Sequence, residues 1–323
     1  MEKYIINLLL SFGLSLALVM LIMPRFINLL KSLNYNQEVS EYALEEYKKK
    51  AATPIMGGLL FVVIPIIVAL VVDYRIIFDP SALMIILSFV LFCLVGFIDD
   101  YIIIVQKNNN GLSPKLKMLM QLIFAFVLFV GFKNHIDTNV AIPLTNINIP
   151  LGILYGLFMV FVYAAESNAV NFTDGMDGLC AGVSFISLIP FLVFALIDRE
   201  YYIATIITSV LGGLLAYLKF NFFPAKVFMG DSGSLALGAL FTAIAIALER
   251  ELLLVIVGGV FVWEMVCVCL QQFSVRVFHK RVFRYTPIHY AFVLRGMKEK
   301  RVVLMFYMIA FIFSIIGLMI GVL

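Results

Sequence analysis

Long apolar runs, each closed by a short polar segment, repeat from one end of this chain to the other. Ten of them approach the roughly 20 residues that a helix needs to cross a bilayer. They lie near 4–23, 55–72, 81–98, 116–133, 149–165, 179–197, 202–219, 233–248, 252–271 and 302–322. No polar segment is large enough to form a soluble domain of its own. The pattern predicts an all-α polytopic integral membrane protein, with one transmembrane domain over residues 1–323. The first run follows Lys3 like the core of a secretory leader. It ends in Met23-Pro24-Arg25 without a small-residue cleavage site, however, and is read as a retained helix.

Composition agrees with the pattern. Hydrophobic residues make up 63% of the chain, charged residues 13%, and mean hydropathy is +1.07, which excludes an ordinary soluble protein. Nucleic acid is not among the expected partners; membrane lipid is. Cys93, Cys180, Cys267 and Cys269 lie in or beside apolar runs without metal-ligand spacing, and read as small buried hydrophobes. The basic residues are distributed unequally: 18 of the 23 Lys and Arg border the odd-numbered loops. The positive-inside rule therefore puts those loops in the cytoplasm and both termini outside the cytoplasm. The acidic motifs lie on the same side, so the expected substrate is cytosolic.

Those motifs carry the candidate chemistry. Asp99-Asp100 closes the third run. Two carboxylates about 4 Å apart repel by roughly 4 kcal/mol at an effective dielectric of about 20, which a divalent cation would relieve. Asn168, Asn171, Asp174 and Asp177 recur every third residue and, if helical, form one polar stripe; Gly175 and Gly178 leave the backbone bare beside it. Phe228-Met229-Gly230-Asp231-Ser232-Gly233-Ser234 precedes the eighth run. There Asp231 suits an N-cap, and the helix end offers N–H groups and a positive dipole to phosphate. Lys117, at the start of the fourth run, could reach phosphate or simply snorkel to the interface.

The ninth loop is strongly basic, with Arg276, Lys280, Arg281, Arg284, Arg295, Lys298, Lys300 and Arg301. A patch on anionic lipid accounts for most of that charge. Pro287-Ile288-His289 stands apart, because an imidazole titrates near neutrality. Glu264 reads as the one mid-span acid, about two turns from Gln271 on the same face. A carboxylate at that depth costs on the order of 3 kcal/mol and should face protein or water.

Taken together, four segments resemble the signatures of the phospho-N-acetylmuramoyl-pentapeptide transferases (the MraY or translocase I family). They are Thr53-Pro54-Ile55-Met56-Gly57-Gly58, Gly96-Phe97-Ile98-Asp99-Asp100, Asn168 through Leu179, and Phe228 through Leu235. The aspartate motifs are shared across the polyprenyl-phosphate N-acetylhexosamine-1-phosphate transferases; the Thr-Pro-x-Met-Gly-Gly segment and the Pro-Ile-His region resemble the muramoyl branch. The chain departs from the pattern at His289-Tyr290-Ala291, where the family has three histidines, and at Met297, where a tryptophan is common.

The resemblance implies a magnesium-dependent enzyme of the bacterial cytoplasmic membrane, active on its cytoplasmic face and expected as a homodimer. It would pass phospho-MurNAc-pentapeptide from UDP-MurNAc-pentapeptide to undecaprenyl phosphate, giving lipid I and UMP in peptidoglycan synthesis. On this basis Asp231 is the metal ligand, Asp99 lies nearest the attacking phosphate, Asp100 supports the site and Lys117 offsets phosphate charge. Asn221 and Phe228 would hold the uracil, with Asp174 and Asp177 near the nucleotide and Gln271 and His289 at the sugar or phosphate end. Lys50, Thr53, Asn168 and Asn171 complete the expected substrate contacts, and Tyr290→His is expected to change activity little. The nucleophile is a phosphate oxygen already largely ionised at neutral pH, so strong base catalysis is not obligatory. The harder task is joining two anions, which needs a cation and positioned donors. Direct attack and a phospho-aspartate intermediate both stay open. The alternatives are a sister transferase moving GlcNAc-1-phosphate and, more remotely, a secondary transporter, whose ligands would lie near the midplane.

Overall fold

The computed structural model describes residues 2–33, 53–106, 111–145 and 147–323. Helices dominate. In chain order they are α1 (Glu2–Ser32), α2 (Gly58–Val72), α3 (Pro80–Gln106), α4 (Pro114–Phe132), α5 (Tyr155–Thr173), α6 (Leu179–Ile197), α7 (Tyr201–Asn221), α8 (Asp231–Ala247), α9 (Glu251–Val257), α10 (Gly259–Phe278), α11 (Ile288–Val293) and α12 (Glu299–Val322). Among the described residues, eight candidate spans are long and apolar enough to cross a membrane, and α2 and α8 are shorter apolar helices. Helices are the expected solution, because hydrocarbon offers backbone N–H and C=O groups no partner but each other.

Five features of the spans differ from those predicted. Pro24 does not end the first helix, which runs on to Ser32. Asp99-Asp100 does not close the third helix: α3 continues to Gln106, so the pair lies inside it rather than at its unfavourable C-terminal end. The run at 149–165 starts too early. Residues Asn139–Ala141 (β1) and Asn148–Pro150 (β2) form an antiparallel hairpin, and α5 begins only at Tyr155. The ninth run is two helices, α9 and α10, separated at Gly258. Finally, Glu264 is not the one mid-span acid, because Glu166 is also buried within α5.

The short helix α8 is the axis of the fold. From Ser232 to Ile246 it is buried throughout, packed among α3, α5 and α2. Small residues let membrane helices come this close. At Gly96 of α3 a Cβ would fall 2.1 Å from the Asp231 carbonyl carbon, so the two backbones meet with no side chain between them. That contact brings the carboxylates of α3 to the N-terminus of α8.

Candidate active site

α4 starts with a clear signal. Ser113 caps it by accepting from the Leu116 N–H at 3.3 Å, and Pro114 occupies its first turn. Lys117 therefore sits in the first turn of a fixed helix and reaches into the bundle. Its ammonium is 3.2 Å from Asp99 Oδ2 and bonds Asp231 Oδ2 directly. Asp99 is buried, and its Oδ1 accepts from the Leu112 N–H at 2.8 Å. Asp231 Oδ1 accepts from Asn171 Nδ2 at 2.7 Å, and the same amide reaches Ser234 Oγ at 2.9 Å.

Asp100 has a different task. Its two oxygens accept the backbone N–H groups of Asp231 and Ser232, both at 3.0 Å. Gly230 is the residue at the N-cap position, and Asp231 begins the helix. The cap comes from another helix, so the expectation of Asp231 as N-cap is corrected. The reading of this helix end as a set of free amides is corrected too. Asp100 takes the first two N–H groups, and those of Gly233 and Ser234 go to the Gly230 carbonyl at 3.2 and 3.1 Å.

One oxygen from each of Asp99, Asp100 and Asp231 falls within a sphere of contacts no wider than 4.8 Å. An all-oxygen, carboxylate-rich set suits a hard divalent cation such as magnesium. Asp99 and Asp231 are the pair already sharing a positive charge, that of Lys117.

A second group of residues meets the first at the turn 174–178, between α5 and α6. Asp174 is the C-cap of α5 and half-buried. Burial, then the nearby Asp231 and Asp177 carboxylates, push it up to about 7. Asp177 Oδ2 accepts from the Ala225 N–H at 2.9 Å, and the Asp177 N–H donates to Glu299 Oε1 at 3.0 Å. Asn221 ties the same turn to the next loop, accepting from the Gly178 N–H and donating to the Val227 carbonyl, each at 3.0 Å. The stripe of asparagines and aspartates is thus helical only as far as Thr173. Asn168 donates across to Gln121 Oε1 of α4 (2.7 Å) rather than bonding the carboxylates.

Phe228 is half-buried, and its backbone pairs with the segment after Thr53: Phe228 donates to the Pro54 carbonyl and accepts from the Gly57 N–H, both at 2.8 Å. Thr53 is half-buried beside that pairing; Lys50 lies outside the described residues. Gln271 braces the basic loop, accepting from Val282 and Phe283 N–H groups at 3.0 and 2.9 Å and donating to the Phe283 carbonyl at 3.1 Å.

Glu264 holds His289. Its carboxylate accepts the Ile288 and His289 N–H groups at 2.7 and 3.2 Å, capping α11, and contacts His289 Nδ1 at 2.9 Å. In the neutral ring this puts the proton on Nδ1 and leaves Nε2 as a bare acceptor. That Nε2 is buried beside Gly175. Sequence reasoning missed Gln121 and Tyr307, which touch Asn168 and the Gly178 end of the turn. They lie outside the recurring motifs, and only long-range folding brings them in.

The chain is similar to proteins of one family. The family model for glycosyl transferase family 4 matches residues 82–249. A phospho-N-acetylmuramoyl-pentapeptide-transferase of Shouchella clausii is 42% identical over 311 residues, 96% of both chains. One from Staphylococcus aureus strain MW2 is 43% identical over 316 residues, 96% of this chain and 98% of the relative. A third, from Halalkalibacterium halodurans, is 38% identical over 313 residues, again 96% of both. With identity of this level sustained over nearly the whole length, this multi-pass membrane protein belongs to the phospho-N-acetylmuramoyl-pentapeptide-transferase family of phosphoglycosyl transferases.

Proposed function

We propose that the chain transfers phospho-MurNAc-pentapeptide from UDP-MurNAc-pentapeptide to undecaprenyl phosphate, releasing UMP and forming lipid I. The observation that carries the reading is the meeting of Asp99, Asp231 and Lys117 beside the Asp174 turn. Two anionic substrates need positive charge and fixed donors at one point. Lys117 supplies a fixed cation, and Asn171 and Asp100 hold Asp231 and its helix in place. Magnesium would be held by Asp231 with Asp99, and it would offset the charge of the phosphoryl group in transfer. Asp99 then faces the incoming lipid phosphate, and His289, oriented by Glu264, lines the end near Gly175. The nucleotide contacts belong to Asp174, Asp177, Asn221 and Phe228.

The same reading places the site at the cytoplasmic face, both termini outside, and the protein as a homodimer in the bacterial cytoplasmic membrane. The charge asymmetry supports the sidedness, with 18 of 23 basic residues bordering one set of loops. Purified protein given undecaprenyl phosphate and either UDP-MurNAc-pentapeptide or UDP-GlcNAc tests the chemistry. UMP release with the muramoyl donor and not the other is expected. Release with UDP-GlcNAc alone would reassign the substrate to the sister reaction.

A further inference from the structure

Tyr290 stands where the resemblance expects an imidazole, and its phenol has a definite partner. The hydroxyl donates to the Gly175 carbonyl at 2.8 Å. Gly175 directly follows Asp174, so this bond falls on the site end of the turn. A Cβ at Gly175 would lie 2.3 Å from His289 Nε2 and 2.9 Å from the Tyr290 hydroxyl, so only glycine lets both rings of α11 reach the turn. The rings themselves are in contact, with centroids 4.3 Å apart. The far end of the turn is held by other groups: the Tyr307 hydroxyl donates to the Gly178 carbonyl at 2.7 Å, and the Gly178 N–H donates to Asn221 at 3.0 Å.

We propose that Tyr290 is a positioning residue: by holding the Gly175 carbonyl it fixes Asp174 beside Asp231 of α8. The proposal rests on the transfer reaction assigned above. Gly175 lies just past the C-cap of α5, so its carbonyl has no place in the helical ladder, and the Tyr290 hydroxyl supplies its donor. A phenol on α11 spans the gap, whereas an imidazole at the same Cα ends short of it. Tyr290→His therefore leaves that carbonyl unmet, and the expectation that it is silent is withdrawn.

The test uses the full chain in nanodiscs, assayed for UMP release with both substrates. Tyr290→Phe, Tyr290→His and 4-aminophenylalanine at position 290 are compared with the parent. The aminophenyl ring keeps a donor at the para position. Losing the bond should lower kcat/KM for the nucleotide sugar by about fivefold or more in the Phe and His variants. The KM for undecaprenyl phosphate and the melting temperature should hold, and 4-aminophenylalanine should restore most of the loss. An active parent with Phe and His variants within about twofold of it overturns the proposal alone. So does a loss that tracks a fall in melting temperature and is not rescued by the aminophenyl ring. A parent that releases no UMP from either sugar overturns the reaction and the proposal with it.

Discussion

Lys117→Met is the sharpest probe of the charge balance at the site. The ammonium lies 3.2 Å from Asp99 and closer still to Asp231, with 21% of its side chain exposed. At an effective dielectric of about 20, an ion pair at that distance attracts by about 5 kcal/mol before desolvation is counted. Removing one partner of a buried pair typically costs about 3–5 kcal/mol, because the other charge is stranded. Here two carboxylates are stranded, and the arriving phosphates lose their fixed cation. If about 3 kcal/mol of that deficit falls on the barrier, turnover drops by roughly 150-fold. The divalent cation should respond in the opposite direction. On the proposed reading magnesium would be drawn to the same oxygens as Lys117, so the magnesium concentration giving half-maximal activity should fall or hold once the ammonium is gone. The assay is UMP release across a magnesium titration, with a melting curve to confirm folding. Turnover within about tenfold of the parent, a barrier change under about 1.4 kcal/mol, would refute the placement of Lys117 at the reacting phosphates. A raised magnesium requirement would refute the idea that lysine and metal share oxygens.

Three further outcomes are expected. Asp231→Asn should lose more than about nine-tenths of the activity while staying folded and membrane-inserted; a milder loss, under about 1.4 kcal/mol in the barrier, removes Asp231 from the catalytic centre. In a cysteine-free background, Asn108→Cys and Asp174→Cys should label only from the cytoplasmic face, and labelling of either from outside intact cells would reverse the orientation. The third concerns pH. Folding raises Asp174 to about 7, whereas an unfolded aspartate titrates near about 3.9. Between those values the folded chain holds the extra proton, so this residue's contribution to stability falls as pH rises from about 4 to about 7 and is level above. In the presence of a chelator, Asp174→Asn should flatten that part of the melting-temperature profile; an unchanged slope would contradict the shift.

The helix order was legible because each apolar run must satisfy its own backbone in hydrocarbon, and composition alone reports that. Gly258 was not legible as a break, since apolar residues continue on both sides and only the pair Gly258-Gly259 carries the signal. Glu166 was overlooked inside an otherwise polar-tipped helix, although its carboxylate is as buried as that of Asp100 to within a few per cent. Glu264 was visible, but its partner was not. The bond to His289 crosses 25 residues and depends on how the basic loop folds back.

Asp100 shows where such reading stops. An acidic pair suggests a metal site, yet one member spends both oxygens on backbone amides 131 and 132 residues away. Local sequence cannot separate a carboxylate that holds a cation from one that caps a distant helix, because both are acids at a helix face. The distinguishing mark lies four residues earlier, at Gly96. Positions 96 and 100 share one face of α3, and the glycine is what brings that face onto the Asp231 backbone. Once the backbones touch, Asp100 is a turn further on and within reach of the first two amides of α8, while Asp99, rotated by about 100°, is turned toward Lys117. The segment Gly96-Phe97-Ile98-Asp99-Asp100 therefore works as one device. Its glycine sets the approach, its second aspartate secures α8, and its first is left facing Lys117.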